Sequence, residues 1–541
     1  MPSAPPYSVR PHALTQIGIA LALIAVGLAF LRTAAVTEDA FITFRVIDNA
    51  LNGHGLVWNT GERVQPYTHP LWMLLLLGAS ASNGDIYTTS LVLSMALTLL
   101  TCFAITAQAQ TLRAVLWAAL ALLVSEAFLE YASAGLENAL AHALLAMFAL
   151  GWWRWPSGDP RSWRTALCAG LLVVTRHDFA LLVAPALVVL AWNARGLDRV
   201  RVACAAIVPL AAWTIFAVIY YGSPWPNSAY AKLNAGLTLI ESLRVSTSYF
   251  RDFVRYDPVS AATISIATIA ALLAPRWRSR SVGVGLLLYL GYIASIGGDY
   301  MGGRLFSPPF VLSVALITRS AVWQKGTRAM LFCVLTVLLG VHHGWLVWDV
   351  HPHARERKLS QHAWIYPFTG WLSPQREPDF RNMPWANQGL RAKADGTAIV
   401  AKCAVGLFGF EAGPRVHIVD PLAITDAFLA RLPAKSNAYP GHFERAFPDG
   451  YLESVRDDEN KLNDPALATL FRLTRRLARG PLFTRERWEA IWVMNTGGDR
   501  ELVTEARYDP NATWAPGLTK TSDLPLACMG QLDPLLTVRI K

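Results

Sequence analysis

The sequence predicts a polytopic α-helical membrane protein with a polar C-terminal domain. Of the 541 residues, 53% are hydrophobic and 16% are charged, and the mean hydropathy is +0.32. A soluble domain is expected to carry about 25% charged residues. Apolar runs recur from residue 14 to residue 347, and loops rich in arginine separate many of them. Composition, the repeated apolar runs and the placement of positive charge therefore all indicate many membrane-spanning helices.

Eleven apolar segments are predicted to span the membrane. The first resembles a cleavable signal peptide, but the many spans that follow favour an uncleaved first span. The stretch PLWMLLLLGASAS, residues 70–82, is too short to span comfortably and is expected to lie at the interface or against the other helices. The eleven segments run approximately from Leu14 to Leu31, Ile86 to Gln108, Ala114 to Tyr131, Leu136 to Trp152, Trp163 to Thr175, Phe179 to Trp192, Val202 to Tyr221, Pro258 to Ala274, Val282 to Ile296, Leu305 to Thr318 and Ala329 to Val347.

The charge of the loops supports this count. With the N-terminus inside, the inner loops are strongly basic and only Asp159 and Asp198 oppose them, whereas the outer loops hold acids and bases in similar numbers. Counting residues 70–82 as a span would move every later group of arginines to the outside. The N-terminus is therefore predicted to be cytoplasmic. The basic residues of the inner loops are Arg113, Arg154, Arg161, Arg164, Arg195, Arg199, Arg201, Arg276, Arg278, Arg280, Arg319, Lys325 and Arg328.

The same topology places five polar segments on the outer face. One of them, TRHDF, separates two short apolar stretches, and such a break is tolerated at membrane depth only where it is buried in protein or lines a cavity. The five segments are the first outer loop, 32–69, and residues 133–138, 175–179, 221–234 and 297–304.

The chain divides by composition into a transmembrane domain, 1–347, and a C-terminal domain, 348–541, which is predicted to be extracytoplasmic. The C-terminal part contains no apolar span. Its segments TAIVAKCAVGLFGF, RVHIVD and ITDAFLARL predict a strand, a strand and a helix, and so a small α/β domain. Two cysteines, Cys403 and Cys528, lie in it. A disulfide between them and two unpaired thiols are both open alternatives, since an oxidising compartment permits the bond but the sequence does not give their distance.

Ionisable residues from the outer segments are candidates for one functional site. Each alone is explained as well by a position among lipid headgroups, but charges near membrane depth are costly, and their convergence on one face favours a site. A carboxylate can take the proton of an attacking hydroxyl, and arginines can hold a phosphate leaving group. The candidates are Glu38, Asp39, His69, Glu137, Arg176, His177, Asp178, Lys232, Asp299 and Arg304.

Several other functions lack their motifs in this sequence. It contains no G-x-S-x-G nucleophile motif, no H-E-x-x-H zinc motif and no P-loop. No lysine- and arginine-rich arm with interleaved aromatic residues occurs, which argues against nucleic acid as a partner. A transporter or a flippase of a lipid-linked sugar stays open as the non-enzymatic alternative, although no inverted repeat is evident.

Several motifs of the chain together resemble those of a known family. The stretch TEDAFITFRVIDNALNGHGLVWNTGERVQPYTHPLW resembles the signature of GT-C glycosyltransferases related to the mycobacterial terminal β-arabinofuranosyltransferase. The resemblance continues, in order, through SAGLENAL, TRHDF, YGSPWPNSAYAKL, GGDYMGGRLFSP, VGLFGFEAGPRVHIVDPLAITD and PGHFERAFPDGYLES. It covers the chain from about residue 14 to residue 460. The chain also resembles, more loosely, pilin-modifying arabinosyltransferases of Gram-negative bacteria.

The resemblance implies a GT-C fold and an enzyme of the bacterial cytoplasmic membrane that uses a polyprenyl-phosphate sugar donor. Transfer would occur on the outer side, to a hydroxyl of a glycan or of a protein such as pilin, with D-arabinofuranose as the leading sugar. The family's catalytic acid maps onto Asp39, with Glu38 beside it. The implied phosphate-binding residues are Arg304, Arg176 and Lys232, and the implied substrate-binding residues are His69, Glu137, Asp178 and Asp299.

Two departures from the family pattern stand out. The chain has Glu-Asp where relatives carry Asp-Asp, and the second acid is retained, which favours Asp39 as the base. TRHDF stands where the family often has T-R-P-E, which puts the role of Asp178 in doubt. Some GT-C enzymes use a divalent cation. Asp39 with Asp299 or Glu137 would supply its oxygen ligands, but no metal site is assigned from sequence, and the cation remains an open alternative.

Overall fold

The computed structural model describes residues 13–155, 158–233, 238–324, 326–348, 361–435 and 441–512. The described chain is mostly helical, and all eleven apolar segments predicted from the sequence coincide with helical structure. The α-helices are Ala13–Thr33, Ala40–Leu51, Pro70–Ser80, Ile86–Thr106, Leu112–Val124, Glu126–Ala132, Asn138–Arg154, Ser162–Thr175, Ala180–Asn193, Gly196–Tyr221, Asn227–Leu233, Leu239–Tyr256, Pro258–Leu272, Trp277–Ser295, Ser307–Thr318, Gly326–Trp348, Gln361–Thr369, Pro384–Ala394, Gly406–Ala412, Tyr451–Asp457, Pro465–Arg479, Arg485–Asn495 and Gly498–Glu505. Short 3-10 helices are His177–Phe179, Ala321–Gln324, Pro378–Phe380 and Leu429–Arg431, and the strands are Ile399–Ala401 and His417–Val419.

Within the described residues, three helices are long and apolar enough to cross a membrane: Ala13–Thr33, Ile86–Thr106 and Gly196–Tyr221. A fourth span results if the bent pair Leu112–Val124 and Glu126–Ala132 is counted as one. Shorter apolar helices of 10–17 residues include Pro70–Ser80, which confirms that residues 70–82 form a helix too short to span. Several apolar helices are consistent with a membrane protein. The count of eleven spans stays a prediction.

The predicted segment Ala114–Tyr131 is not one straight helix. It bends by 71° between Val124 and Glu126. Ser125 adopts an extended conformation, and its side chain accepts a hydrogen bond from the Phe128 backbone N–H at 3.0 Å, so it caps the second helix. Asp257 stabilises the same break by accepting a hydrogen bond from the Ala127 N–H at 2.9 Å. Apolar periodicity does not reveal such a cap, which is why the sequence predicts a continuous segment.

The chain forms two compact units, and both are discontinuous in sequence. The first comprises residues 1–37, 87–210 and 243–374, and it is a helical assembly whose core includes the fully buried Trp117, Trp152 and Tyr289. The second comprises residues 38–86, 211–242 and 375–541. The described part of the C-terminal tail from residue 375 thus folds with the first outer loop. The predicted domains 1–347 and 348–541 stay predictions.

The second unit contains a small parallel sheet. Strand Ile399–Ala401 pairs with strand His417–Val419, with Ile399 opposite His417, and the helix Gly406–Ala412 connects them. Both predicted strands exist, although GLFGF within the first predicted segment is helical. ITDAFLARL, predicted as a helix, contains only the 3-10 turn Leu429–Arg431. The reason is local: Asp426 accepts hydrogen bonds from the N–H groups of Phe428 and Leu429 at 3.0 and 2.9 Å, which fixes a turn before the chain extends at Leu432.

Candidate functional site

The two adjacent acids of the first outer loop have different surroundings. Asp39 is the residue immediately before the helix Ala40–Leu51 and is partly exposed, whereas Glu38 is buried. Both belong to the second compact unit. The backbone N–H groups of Phe41 and Ile42 bond to the carbonyls of Glu38 and Asp39 at 3.1 and 3.2 Å. The start of this helix therefore fixes the backbone of both acids and leaves Asp39 the more accessible one.

The Glu38 carboxylate is anchored to the C-terminal part of the chain. Its Oε1 accepts hydrogen bonds from the backbone N–H groups of Gly406 at 2.5 Å and Leu407 at 3.2 Å. These amides begin the helix Gly406–Ala412, and unpaired N–H groups at such a helix start favour a carboxylate. The V-G-L-F-G-F motif thus supplies the hydrogen-bond donors for Glu38, although it lies 368 residues further along the chain.

Burial changes the proton affinity of Glu38. Removal from water, reinforced by the charge of Asp39 and more weakly by that of Asp420, raises the pKa of Glu38 to about 8, and the two amide hydrogen bonds offset only part of this rise. At neutral pH the arrangement favours a neutral Glu38 beside Asp39. The two acids therefore differ: Glu38 is buried and held by backbone amides, whereas Asp39 is partly exposed.

Arg45 and Asn49, in the F-R-x-x-x-N motif, hold the loop that follows the acids. The buried Arg45 guanidinium donates to the carbonyl oxygens of Trp58 at 3.0 Å, Val416 at 2.9 Å and Gly409, and it lies 4.8 Å over the Trp58 ring. Asn49 Nδ2 donates to the same Trp58 carbonyl at 3.0 Å. Burial lowers the pKa of Arg45 to about 9. Both side chains bind backbone carbonyls, which gives these motif residues a scaffolding role that sequence reasoning did not assign.

Further polar contacts tie this loop to the small sheet. Asn59 exchanges two hydrogen bonds with the backbone of Ile418, each 3.0 Å long. Beyond that strand, Asp420 accepts from the N–H groups of Leu422 and Thr425 at 2.9 and 3.0 Å, and burial raises its pKa to about 6. Asp420 was missed from sequence because its role depends on the turn that it caps. The V-H-I-V-D-P-L motif is therefore structural as well.

Two further predicted residues lie in the second unit. His69 is buried, and its Nε2 lies 2.9 Å from the Thr43 hydroxyl on the helix that follows Asp39. Lys232 lies on the helix Asn227–Leu233 and is partly exposed. Four predicted residues, Glu38, Asp39, His69 and Lys232, thus share the second unit.

The other six candidates lie in the first unit, and all of them except His177 form an ion cluster there. The fully buried Glu137 carboxylate accepts from Arg176 Nη1 at 3.1 Å and from Arg304 Nη2 at 3.1 Å. Arg176 Nε also donates to Asp178 Oδ1 at 2.8 Å, and Arg304 Nη1 lies 3.9 Å from Asp299 Oδ2. Segments SAGLEN, TRHDF and GGDYMGGR, which are far apart in sequence, thus meet as expected from the predicted common face.

The geometry of this cluster gives Glu137 a central position. It holds two guanidinium groups side by side, and Asp178 and Asp299 flank them. Ser307, at the start of the next helix, bonds to Asn138 at 3.0 Å and to His142 at 2.9 Å, which fixes the helix that begins beside Glu137. The arginines expected to hold phosphate are therefore oriented by carboxylates. Sequence reasoning named these residues and missed this pairing.

Two alternatives left open by the sequence concern a disulfide and a metal ion. Cys528 lies outside the described residues, so whether it pairs with Cys403 stays open. Among the residues that the structure describes, no group of three or more His, Cys, Asp or Glu side chains is placed to hold a metal ion.

A comparison with known proteins supports a distant relationship to a glycosyltransferase. The chain is similar to the terminal β-(1→2)-arabinofuranosyltransferase of Mycobacterium tuberculosis. The two are 24% identical over an alignment of 515 residues that covers 76% of this chain and 81% of the relative. No family model matches the chain, and no solved structure matches it.

Proposed function

We propose that this protein transfers a sugar, D-arabinofuranose in the first instance, from a polyprenyl-phosphate donor to a hydroxyl group on the outer side of the bacterial cytoplasmic membrane. The observation that carries the proposal is the unequal acid pair: Glu38 is buried against the helix Gly406–Ala412, and Asp39 beside it is partly exposed. The similarity to an arabinofuranosyltransferase supports the choice of reaction.

Asp39 is assigned the role of catalytic base. As the acceptor oxygen forms its bond to the anomeric carbon, Asp39 takes the hydroxyl proton, and the bond from that carbon to the donor phosphate breaks. The polyprenyl phosphate leaves with the electron pair. If configuration is retained, Asp39 instead stabilises the positive charge that develops at the anomeric carbon, and an oxygen of the leaving phosphate takes the hydroxyl proton. Glu38 contributes by position, because its two amide hydrogen bonds fix the neighbouring backbone.

Arg176 and Arg304 are assigned to the donor phosphate, with Lys232 as a further candidate. Guanidinium groups bind phosphate oxygens through paired hydrogen bonds and stabilise the charge that the leaving group gains. Glu137 is the positioning residue for both arginines, since its carboxylate lies 3.1 Å from each. Asp178 and Asp299 restrict the same two side chains. His69 is assigned to the acceptor side with the acid pair.

The membrane arrangement is part of the proposal. The N-terminus lies in the cytoplasm, eleven spans cross the bilayer, and the C-terminal domain is extracytoplasmic. The acceptor is a glycan, with a protein such as pilin as the alternative. A lipid-linked donor requires the bilayer as its solvent, which agrees with the apolar helices.

The test uses purified protein in lipid vesicles with a radiolabelled polyprenyl-phosphate arabinose donor and a synthetic arabinofuranosyl oligosaccharide acceptor. Appearance of label in the oligosaccharide, with release of polyprenyl phosphate, is the expected result. Movement of the intact donor between leaflets without release of the sugar would instead identify a flippase and overturn the proposal. Other activated pentoses in parallel incubations test the sugar.

A further inference from the structure

The helix Arg485–Asn495, called the aromatic helix, carries large aromatic side chains on its exposed side, and no role in the reaction is assigned to it. Its buried side comprises Arg487, Ala490, Ile491 and Met494. Trp488 and Trp492 are four residues apart, which places them on one side of the helix, and both are exposed, Trp492 to 72%. Phe483, just before the helix, is 77% exposed. We call the exposed rings of Phe483, Trp488 and Trp492 the aromatic surface.

The buried side of the aromatic helix holds the end of a helix that is long and apolar enough to cross a membrane, Gly196–Tyr221, called the crossing helix. The C-terminal part of the crossing helix and the whole aromatic helix belong to the second unit. The buried Arg487 guanidinium donates to the carbonyl oxygens of Ile219 at 2.8 Å and Tyr220 at 3.0 Å. The last carbonyl groups of a helix have no partner within it, so Arg487 caps the crossing helix.

A second contact, at the other end of the aromatic helix, fixes the same place. Asn495 Nδ2 donates to the carbonyl oxygen of Gly222 at 2.8 Å. Gly222 also packs closely on this helix, because a Cβ atom there would stand 3.3 Å from Ile491 Cγ1. Arg487 and Asn495 are eight residues apart, about 12 Å along a helix. Both ends of the aromatic helix are therefore tied to the residues that end the crossing helix.

This position determines what the aromatic surface meets if the crossing helix spans a bilayer. The end of a spanning helix lies where the acyl chains meet the headgroups, and the headgroup region is about 5–8 Å thick on each side. A helix with its side chains is about 10–12 Å wide, so one packed on that end reaches into this region. Tryptophan is enriched there. Trp225, just beyond the crossing helix, is likewise 53% exposed.

The charge of the surrounding segment complements a lipid surface. Residues 465–500 contain seven arginines and three acids. Arg472, Arg476 and Arg500 are exposed. Guanidinium groups donate paired hydrogen bonds to phosphate oxygens, and basic residues near a membrane are attracted to anionic headgroups. Exposed aromatic rings in a basic segment therefore fit the headgroup layer of a bilayer.

We infer that the aromatic surface inserts into the headgroup layer beside the end of the crossing helix and holds the second unit at the membrane. The inference rests on the proposed crossing of the bilayer by Gly196–Tyr221 and is independent of the sugar, the acceptor and the reaction. The first outer loop is tied to the same place, because Arg63 Nε donates to the Tyr220 carbonyl oxygen at 3.1 Å. The loop that bears Asp39 is thereby attached to the membrane-anchored end of the crossing helix.

Photochemical labelling of the full-length protein tests the inference. The photoreactive p-benzoylphenylalanine, which couples to C–H bonds that it touches, is placed at position 492 or 483 in place of Trp492 or Phe483. The purified proteins are irradiated in vesicles of phosphatidylcholine and phosphatidylglycerol, and mass spectrometry detects lipid bound to the protein. The label in place of Glu459 is the matched control, because Glu459 is exposed in the same unit but follows two other acids, which disfavour contact with lipid phosphates.

Lipid adducts are expected at positions 492 and 483 and not at 459. Absence of an adduct at 492 or 483, in protein that unfolds at the wild-type temperature, would overturn the inference. A covalent dimer in place of the lipid adduct would also overturn it, since a second copy of the chain would then cover the aromatic surface.

A label in the crossing helix separates this inference from the membrane topology on which it rests. Ile207 lies near the middle of the crossing helix and is 62% exposed, so the same label in its place reports whether that helix contacts lipid. Lipid bound at 207 with none at 492 would leave the crossing helix in the bilayer and overturn the inference. Lipid bound at neither position would overturn both. Loss of transfer activity changes neither outcome, because the labelling requires no substrate.

Discussion

Gly406 lies directly against Glu38. A Cβ atom at position 406 would stand 2.1 Å from the Glu38 carbonyl oxygen and 2.7 Å from its Oε1, distances that no side chain can occupy. The backbone amide of Gly406 is also the closest hydrogen-bond donor to that carboxylate, at 2.5 Å. The absence of a side chain at Gly406 is therefore what allows the first acid of the loop to be anchored.

Gly406→Ala should destabilise the protein by about 1–3 kcal/mol, the usual cost of forcing a methyl group into packed structure. The new Cβ must displace the Glu38 backbone, so transfer activity should fall with the stability. Thermal unfolding of the purified protein measures the first effect. Gly78→Ala is the control, since a Cβ there meets nothing within 4 Å and should leave the unfolding temperature unchanged or slightly raised. Equal unfolding temperatures for Gly406→Ala and wild type would contradict the anchoring role.

Glu38→Gln should weaken the pH dependence of stability. Because burial raises the pKa of Glu38 from its ordinary value of 4.5 to about 8, the folded protein holds this proton more tightly than the unfolded chain does. The stabilisation is complete below about pH 4.5 and is lost as the pH rises through about 8. Glutamine resembles the neutral acid and cannot titrate.

Unfolding temperatures from pH 5 to pH 9 provide the measurement for Glu38→Gln. The wild type should become less stable across this range, and the variant should show a shallower decline while it retains transfer activity. Parallel curves for the two proteins would show that Glu38 does not titrate in this way.

Arg304→Lys should raise the donor KM about tenfold while the protein stays folded. Lysine keeps the positive charge near Glu137 but loses the forked geometry that binds a carboxylate and a phosphate together. Initial rates at varied donor concentration give the KM. Arg161→Lys is the control, because Arg161 is largely exposed and pairs with the nearby Asp159 at 2.9 Å. An unchanged donor KM in Arg304→Lys would remove Arg304 from the phosphate role.

The helices could be predicted from the sequence because a sufficiently long apolar run has few structural alternatives to a helix. The cap at Ser125 could not, because apolar periodicity does not register its hydrogen bond to Phe128, and the supporting Asp257 precedes a helix that begins 133 residues later, at Pro258. The segment ITDAFLARL, predicted as a helix, forms a turn at Asp426 for a similar reason. A short polar side chain competed with helical hydrogen bonding, which periodicity does not register.

The residues of the candidate site could be named from the sequence, but the contacts between them could not. Convergence of Glu137, Arg176 and Arg304 was expected from the predicted common outer face, but the sequence does not show which of them form ion pairs. Likewise, Glu38 and Asp39 are adjacent in sequence, and without the family resemblance the sequence does not distinguish them as candidates for the catalytic base. Only the contact with Gly406 separates a buried acid from a partly exposed one.

The central claim is that Asp39 acts as the base and Glu38 positions it. Transfer from the lipid-linked donor, measured for Asp39→Asn, Glu38→Gln and the exposed-site control Asp85→Asn, tests this most directly. Asp39→Asn keeps the volume and removes the base, so the rate should fall at least about a hundredfold, while donor binding and the unfolding temperature stay near wild type. Glu38→Gln and Asp85→Asn should remain within about tenfold of wild type, because neither removes the base. Near-normal transfer by folded Asp39→Asn would contradict the account.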